Sequence, residues 1–306
     1  MTSVAGDPVA PAAVLRNRTH RRSIARLLST VALAAPLTVW LAALVAVPLG
    51  ILVVYSFWRV VAFQIVHVYS LANYRASFSR VFLRALENSL VIGLSTAAIT
   101  CVIAFALAWA VRFRVRRGKN LLLLAIVAAS AGSYLARIYA WRGILGAQGA
   151  INSFLTAVHL TSGPLGFLIF NRGAVIVALV NLFVPYAFLP IYANLLAVDP
   201  EILEAGRVLG AGPIRNLRHV ALPLTAVGLA TSFVYVLIFA TGDFAIPTFL
   251  GGPTGLPAAQ VIQSQFGEIF NWPLGAAMAI VYLLVLGGIS ALLAVYAGRR
   301  SRRLAR

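Results

Sequence analysis

Apolar residues along this 306-residue chain gather into six long runs, at about 31–55, 87–111, 120–140, 174–197, 224–248 and 275–297. Each run is close to the ~20 residues that a helix needs to cross the hydrocarbon core of a bilayer. Strands of a membrane barrel would alternate polar and apolar residues over about ten positions. These runs are continuous, and a helix satisfies all of its backbone hydrogen bonds within one segment. The pattern therefore predicts an all-α fold class, a polytopic membrane protein with six transmembrane helices. The first run is too long for the core of a cleavable signal peptide and reads as an uncleaved first span. The expected organisation is a basic N-terminal tail over 1–30, a transmembrane domain over 31–298 and a basic C-terminal tail over 299–306.

The connections differ in character. Those at 56–86 and 141–173 are long enough for short helices lying on or dipping into the membrane, and Gly143, Gly146, Gly149, Gly163-Pro164 and Gly166 divide the second. The connection at 249–274 is rich in Gly and Pro and holds no basic residue. The loop at 198–223 is the longest polar interruption in the C-terminal half and carries three of the seven acids. Asp199 suits an N-cap, Pro200 the first helical position, and Glu201 the positive end of the helix dipole. That helix is expected to run to about Leu209 and stop at Gly210. Gly212-Pro213 then turns the chain into a second short helix ending at Pro223. Ala205 and Gly206 leave a low-relief face that another surface could approach closely. By itself this could also be an ordinary helical hairpin between two spans.

Composition narrows the function. Apolar residues make up 61% of the chain and charged residues only 10%, against about 25% charged in soluble domains. A net charge of +18 would point to nucleic acid in a soluble protein, but here the cations sit beside the ends of the apolar runs. Arg accounts for 24 of them and Lys119 is the one Lys. Five fall in the N-terminal tail, five in 112–119, three in 198–223 and five in the C-terminal tail; the other connections, with their adjoining span ends, hold seven. By the positive-inside rule this places both termini and the 198–223 loop in the cytoplasm of a multi-pass membrane protein. The use of Arg in place of Lys suits a GC-rich bacterial genome, so the bacterial inner membrane is the expected location. Membrane lipid is then the expected partner of the basic 112–119 cluster, and nucleic acid is not a partner.

Candidate chemistry is sparse. Cys101 stands alone, and His20, His67, His159 and His219 share no metal-ligand or catalytic spacing. No catalytic residue and no metal site is expected. Gly118-Lys119 lacks the Gly five positions earlier and the following Ser or Thr of a phosphate-binding loop. No cofactor is expected on this chain, which cannot hydrolyse ATP by itself, so it is not expected to be an enzyme. Asp243, late in the fifth run, is an acid at membrane depth, where a carboxylate faces a cavity or a partner. It suits a cationic solute. It equally suits a capped helix break before Pro247 or an ion pair with Arg137. Tyr134, Tyr139, Trp141 and Phe244 should lie near the same level, where aromatic faces attract ammonium groups but also anchor helices at the interface. A secondary carrier or channel for a small cation would need more intramembrane ionisable groups or a paired inverted repeat. An intramembrane enzyme would need paired catalytic groups.

The 198–223 loop also carries a longer pattern: Glu204-Ala205-Gly206, three residues, Gly210, nine residues, Val220, one residue, Leu222-Pro223. It resembles the EAA motif of the membrane subunits of binding-protein-dependent ABC importers, departing from it in Gly206 and Val220. The resemblance implies a type I importer permease architecture. It also implies that Glu201, Glu204, Ala205, Gly206, Gly210, Leu222 and Pro223 meet an ATPase. Ser133 to Leu145, Gly242-Asp243-Phe244-Ala245-Ile246-Pro247 with Leu250-Gly251-Gly252, Asn271 to Ala277 and Asn88-Ser89-Leu90 are similar to PotB-like permeases, the spermidine/putrescine branch. The implied partners are a second homologous permease, two ATP-binding subunits that use the ATP, and an extracytoplasmic substrate-binding protein. The implied substrate pathway includes Asp243, Tyr134, Trp141 and Phe244, and the implied cargo is a polyamine. Iron, thiamine, phosphonate and opine permeases share much of the same pattern.

Overall fold

The computed structural model describes residues 35–304, and the predicted tail over 1–30 lies outside them. The chain divides into two compact units between Val54 and Tyr55. The first contains most of α1 (Ala35–Ser56), a helix long and apolar enough to cross a membrane.

The second unit opens on a two-stranded antiparallel hairpin, β1 (Arg59–Val61) and β2 (Gln64–Val66), with Arg59 opposite Val66. Short helices were expected in this connection, and one forms at Ala72–Ser77, but this hairpin precedes it. The β-branched residues of Arg59–Val61 and Gln64–Val66 favour strands instead, and Ala62 and Phe63 make the two-residue turn with φ of 50° and 63°. Then follow α2 (Ala72–Ser77), α3 (Arg80–Phe113), α4 (Lys119–Ser130), α5 (Tyr134–Leu145), α6 (Ala150–Ala157) and α7 (Arg172–Leu196). The polar loop forms α8 (Pro200–Val208), α9 (Pro213–Asn216), a π-helical stretch (Leu217–Ala221) and α10 (Leu222–Leu224). The chain ends in α11 (Ala226–Gly242), α12 (Ala245–Leu250), α13 (Ala258–Gly267) and α14 (Trp272–Leu304).

Among the described residues, α1, α3, α7 and α14 are single membrane-length helices. Two further helix pairs are long and apolar enough to cross only when taken together, and each is bent. That gives four membrane-length helices among the described residues, or six if each pair is one span. The helix expected at 120–140 breaks between α4 and α5, turning by 93°, and the 72° bend before α11 falls at Thr225. Ala131-Gly132-Ser133 explains the first break, because Gly132 adds no side chain to hold the helix and Ser133 caps α5 by accepting from the Ala136 N–H. α3 starts seven residues before its expected span because Ser79 accepts the Phe82 N–H as an N-cap. α14 carries on through most of the segment expected as a C-terminal tail.

The core lies where α3, α7 and α11 meet. The buried face of α3 is mostly small: Ala85, Ser89, Gly93, Ala97, Thr100, Ala104 and Ala108, spaced by three or four. Lipid is as apolar as a side chain, so helices in a bilayer associate through close packing of small residues rather than through hydrophobic transfer. A Cβ on Gly93 would overlap the side chain of Thr241 on α11. One on Gly228 of α11 would lie 2.7 Å from the Pro190 carbonyl oxygen on α7. Ser232 Oγ donates to the Ala187 carbonyl at 2.9 Å, adding a polar tie between α11 and α7. Asn88 Nδ2 donates to Leu256 O (3.0 Å), and Ser89 Oγ accepts from Ala258 N (2.9 Å), which fixes α13 against the start of α3.

Close packing at Gly228 makes it intolerant of bulk. Gly228→Leu should destabilise the detergent-solubilised protein by about 1–3 kcal/mol, read as a lower thermal midpoint. Gly287→Ala on α14, where a Cβ meets open space, should change it by no more than about 1 kcal/mol.

Candidate functional site

Two places carry the sequence-derived candidates, the 199–223 loop and the recess around Asp243. In the loop, Asp199 Oδ1 accepts the Glu201 N–H at 3.0 Å and starts α8. Gly210 ends it with φ of +80°, a conformation that favours glycine, and the Ala211 N–H returns to the Gly206 carbonyl. The base of the loop is pinned from outside. Arg112, in the last turn of α3, donates to Leu195 O (3.3 Å) and Val198 O (3.4 Å), two carbonyls at the end of α7. Leu203 is buried and Leu222 packs against the core, so both ends of the hairpin are anchored.

Gly206 does not leave an open face for another protein, as expected from sequence. Its side is filled by Asn216 of α9, whose amide group a Cβ at 206 would overlap. Asn216 is buried and donates through Nδ2 to Leu203 O at 2.7 Å, locking α9 onto α8. Glycine at 206 therefore serves the hairpin's own crossing. Glu201, Glu204, Ala205 and Gly210 are exposed, while Gly206, Leu222 and Pro223 are partly covered. The outward surface also includes three apolar residues that sequence reading passed over: Val208 (87% exposed), Leu209 (86%) and Ile214 (78%). Large apolar side chains displayed around a charged turn mark an interaction surface. The available signal was the apolar pair Val208-Leu209 directly before Gly210, with Ile214 just after the turn.

Asp243 lies just past the end of α11, where the backbone leaves the helix with ψ of 125°. Its Oδ1 accepts the Ile246 N–H at 3.0 Å and its Oδ2 accepts the Tyr134 hydroxyl at 2.5 Å. Tyr134 is the first residue of α5, so the bond joins the α4–α5 break to the end of α11. Tyrosines close the neighbouring helix ends as well. Tyr186 donates to Ser130 O at 2.8 Å at the end of α4, and Tyr282 donates to Thr241 O at 2.5 Å at the end of α11. Each supplies a donor to a carbonyl left over at a helix end. Between these breaks lies a recess of about 580 Å³ lined by Asp243, Tyr134, Phe183, Tyr186, Tyr235, Phe239 and Phe244, among others. Tyr235 and Phe239 stand 4.6 Å apart between ring centroids.

Other residues expected at this level go elsewhere. Trp141 lines a separate depression and its indole N–H donates to Asn181 Oδ1 at 3.3 Å. Tyr139 meets Phe249 instead. Arg137 does not pair with Asp243: its guanidinium bonds back to the Ala129 carbonyl across the α4–α5 break. The 93° bend is the reason, because it turns successive faces of α5 away from α11 after Tyr134. Among the described residues no group of three His, Cys, Asp or Glu side chains could hold a metal ion.

The Asn216 bond is a local lock whose loss should be visible without any partner. Asn216→Ala removes the donor to Leu203 O, worth about 1 kcal/mol, and leaves that carbonyl unpaired. Limited trypsin digestion should then cut at Arg207, Arg215 or Arg218 roughly fivefold faster, with other sites unchanged.

A protein-family model described as "Binding-protein-dependent transport system inner membrane component" matches residues 102–303. The spermidine/putrescine transport system permease protein PotB of Escherichia coli (strain K12) is 30% identical over 220 residues, covering 72% of this chain and 80% of that protein. PotB of Haemophilus influenzae is 32% identical over 211 residues, covering 69% and 73%. The inner membrane ABC transporter permease protein YdcU of E. coli is 28% identical over 230 residues, covering 71% and 72%. A crystallised bacterial ABC transporter for the acidic polysaccharide alginate superposes with a TM-score of 0.73 over 94% of this chain and 100% of that one. At 18% identity that likeness bears on the fold alone. With two thirds of its length matched by the family model and its helices arranged as in a solved importer, the chain belongs to the binding-protein-dependent transport system inner membrane components, the permease subunits of ABC importers.

Proposed function

We propose that this chain forms one half of the translocation pathway of an importer for polyamines, and that the 199–223 hairpin is where an ATP-binding subunit drives it. The observation that carries the coupling reading is the hairpin itself. It is anchored at both ends, locked internally by Asn216, and displays Glu201, Glu204, Val208, Leu209 and Ile214 outward. A rigid projection of this kind transmits a push to the helices it joins, α7 and α11, rather than absorbing it. ATP would be bound and hydrolysed by two partner subunits, with no cofactor and no catalytic group on this chain. A second, homologous permease would complete the pathway and an extracytoplasmic binding protein would deliver cargo to the opposite side. Both termini and the hairpin would then lie in the cytoplasm, as the arginine distribution requires.

The cargo assignment rests on the recess. It combines a carboxylate with several aromatic faces where the α4–α5 break meets the end of α11. An irregular backbone at membrane depth is tolerated where it is buried in protein or lines a cavity, and a carboxylate with aromatic rings is the chemistry that receives alkylammonium groups. Relatives named for spermidine and putrescine transport point the same way.

Two outcomes test this reading separately. Glu204→Arg and Gly210→Asp alter the hairpin surface and its stop. Each should reduce ATP-dependent uptake by more than tenfold in membrane vesicles and weaken co-purification of the ATP-binding subunit, and full uptake in both would refute the coupling role. Asp243→Asn keeps an oxygen for the Ile246 N–H but removes the charge. It should slow maximal uptake of spermidine about tenfold with the ATP-binding subunit still associated, and unchanged kinetics would return Asp243 to capping α12.

A further inference from the structure

Between α3 and the hairpin lies a groove of about 810 Å³, separate from the recess around Asp243 and reached by Glu204 and Leu222 of the hairpin. One wall is the α3 face Val102, Phe105, Trp109 and Phe113; Leu203 and Leu217 of the hairpin form part of the other. Phe105, Trp109 and Phe113 make a continuous aromatic ladder, with successive centroids 6.1 and 4.5 Å apart. The groove is open along its outer side, where Val102 is 70% exposed.

Its dimensions fit a specific occupant. From Cys101 to Phe113 the helix rises about 18 Å at 1.5 Å per residue, close to one leaflet of a hydrocarbon core of about 30 Å. The far end is closed by the Cys101–Leu229 contact between α3 and α11. The near end is where α3 leaves the membrane, and there the lining becomes Arg114 and Arg116, with Glu204 across from them. Both arginines are exposed and neither is ion-paired among the described residues. An apolar slot one leaflet long, ending in two unpaired guanidiniums, is complementary to a single amphiphile with a buried chain and an anionic head. A helix from another protein would need an acid or its C-terminal carbonyls at the mouth to pair both cations, whereas an anionic lipid supplies the phosphate by its nature.

We propose that this groove holds an anionic phospholipid of the leaflet facing the hairpin, with its phosphate on Arg114 and Arg116 and an acyl chain along the aromatic ladder. Glu204 is then an acceptor for a hydroxylated head group, which selects phosphatidylglycerol over phosphatidylcholine. Because the same lipid touches α3 and the hairpin, it wedges the loop at a fixed distance from the bundle.

The test measures retained lipid, so it does not depend on transport or on the identity of the cargo. The full chain with its partner subunits is purified in mild detergent, titrated with phosphatidylglycerol or phosphatidylcholine, and analysed by native mass spectrometry. Phosphatidylglycerol should bind in preference. The double variant Arg114→Gln/Arg116→Gln should weaken it by about 30-fold, two cations at about 1 kcal/mol each. Ala106→Trp, which fills the slot without changing charge, should also displace it, and soluble glycerol phosphate should not compete. Arg117→Gln, in the same basic segment but outside the groove, should have no effect. Equal losses from Arg117→Gln and the double variant would reduce the site to general surface charge and overturn the proposal. So would full retention in Ala106→Trp. As a check in intact membranes, Val102→Cys in a Cys101→Ala background should not cross-link to another protein, and stoichiometric cross-linking to the second permease would assign the groove to a helix instead.

Discussion

In a bilayer every backbone amide and carbonyl must find a partner within the protein, and the organisation of this permease follows from how it meets that demand where its helices stop. Each unpaired group in hydrocarbon costs several kcal/mol. The chain breaks between α4 and α5 and again where α11 stops, and both places survive because side chains take over the lost bonds: Tyr186 at the end of α4, Tyr282 at the end of α11, and Asp243 with Tyr134 between them. Breaks held in this way bring polar groups and aromatic faces into a bundle whose closest helix crossings are at Gly93 and Gly228. Recess and fold are products of one constraint.

At the other end of the same helices the constraint is mechanical. α7 and α11 are joined by the hairpin, and α3 is tied to the base of that hairpin through Arg112. The three helices of the core therefore converge on the exposed loop. The close approach of α11 to α3 and α7 at Gly93 and Gly228 leaves little room for these helices to slide independently. Displacement of the loop is thus passed to the bundle as a movement of packed elements between discrete arrangements.

Much of this was legible in the sequence, for reasons that can be located. Long continuous apolar runs have one solution in a membrane, so the α3, α7 and α14 spans emerge with only their ends shifted. The loop was legible because Asp199, Pro200 and Gly210 act locally, through capping and chain reversal. What failed to emerge depends on distance. The break at Ala131–Ser133 is hidden inside an apolar stretch, and without it Trp141 and Arg137 fall on the wrong side of α5. Gly206 reads as an open face until Asn216, ten positions later, is seen to fill it. The hairpin Arg59–Val66 was missed because a pair of three-residue strands leaves little periodicity to detect.

The central claim is that the exposed turn of the hairpin is the surface through which an ATP-binding subunit moves the permease. The most direct measurement is site-specific photo-cross-linking from Leu209, 86% exposed at that turn, in native membranes carrying the whole transporter. The expected result is one dominant adduct with the ATP-binding subunit, its yield changing when non-hydrolysable ATP is added, and none from the same probe at Phe63 in the β1–β2 turn. Absence of that adduct at Leu209, in a transporter that still imports its cargo, would contradict the account.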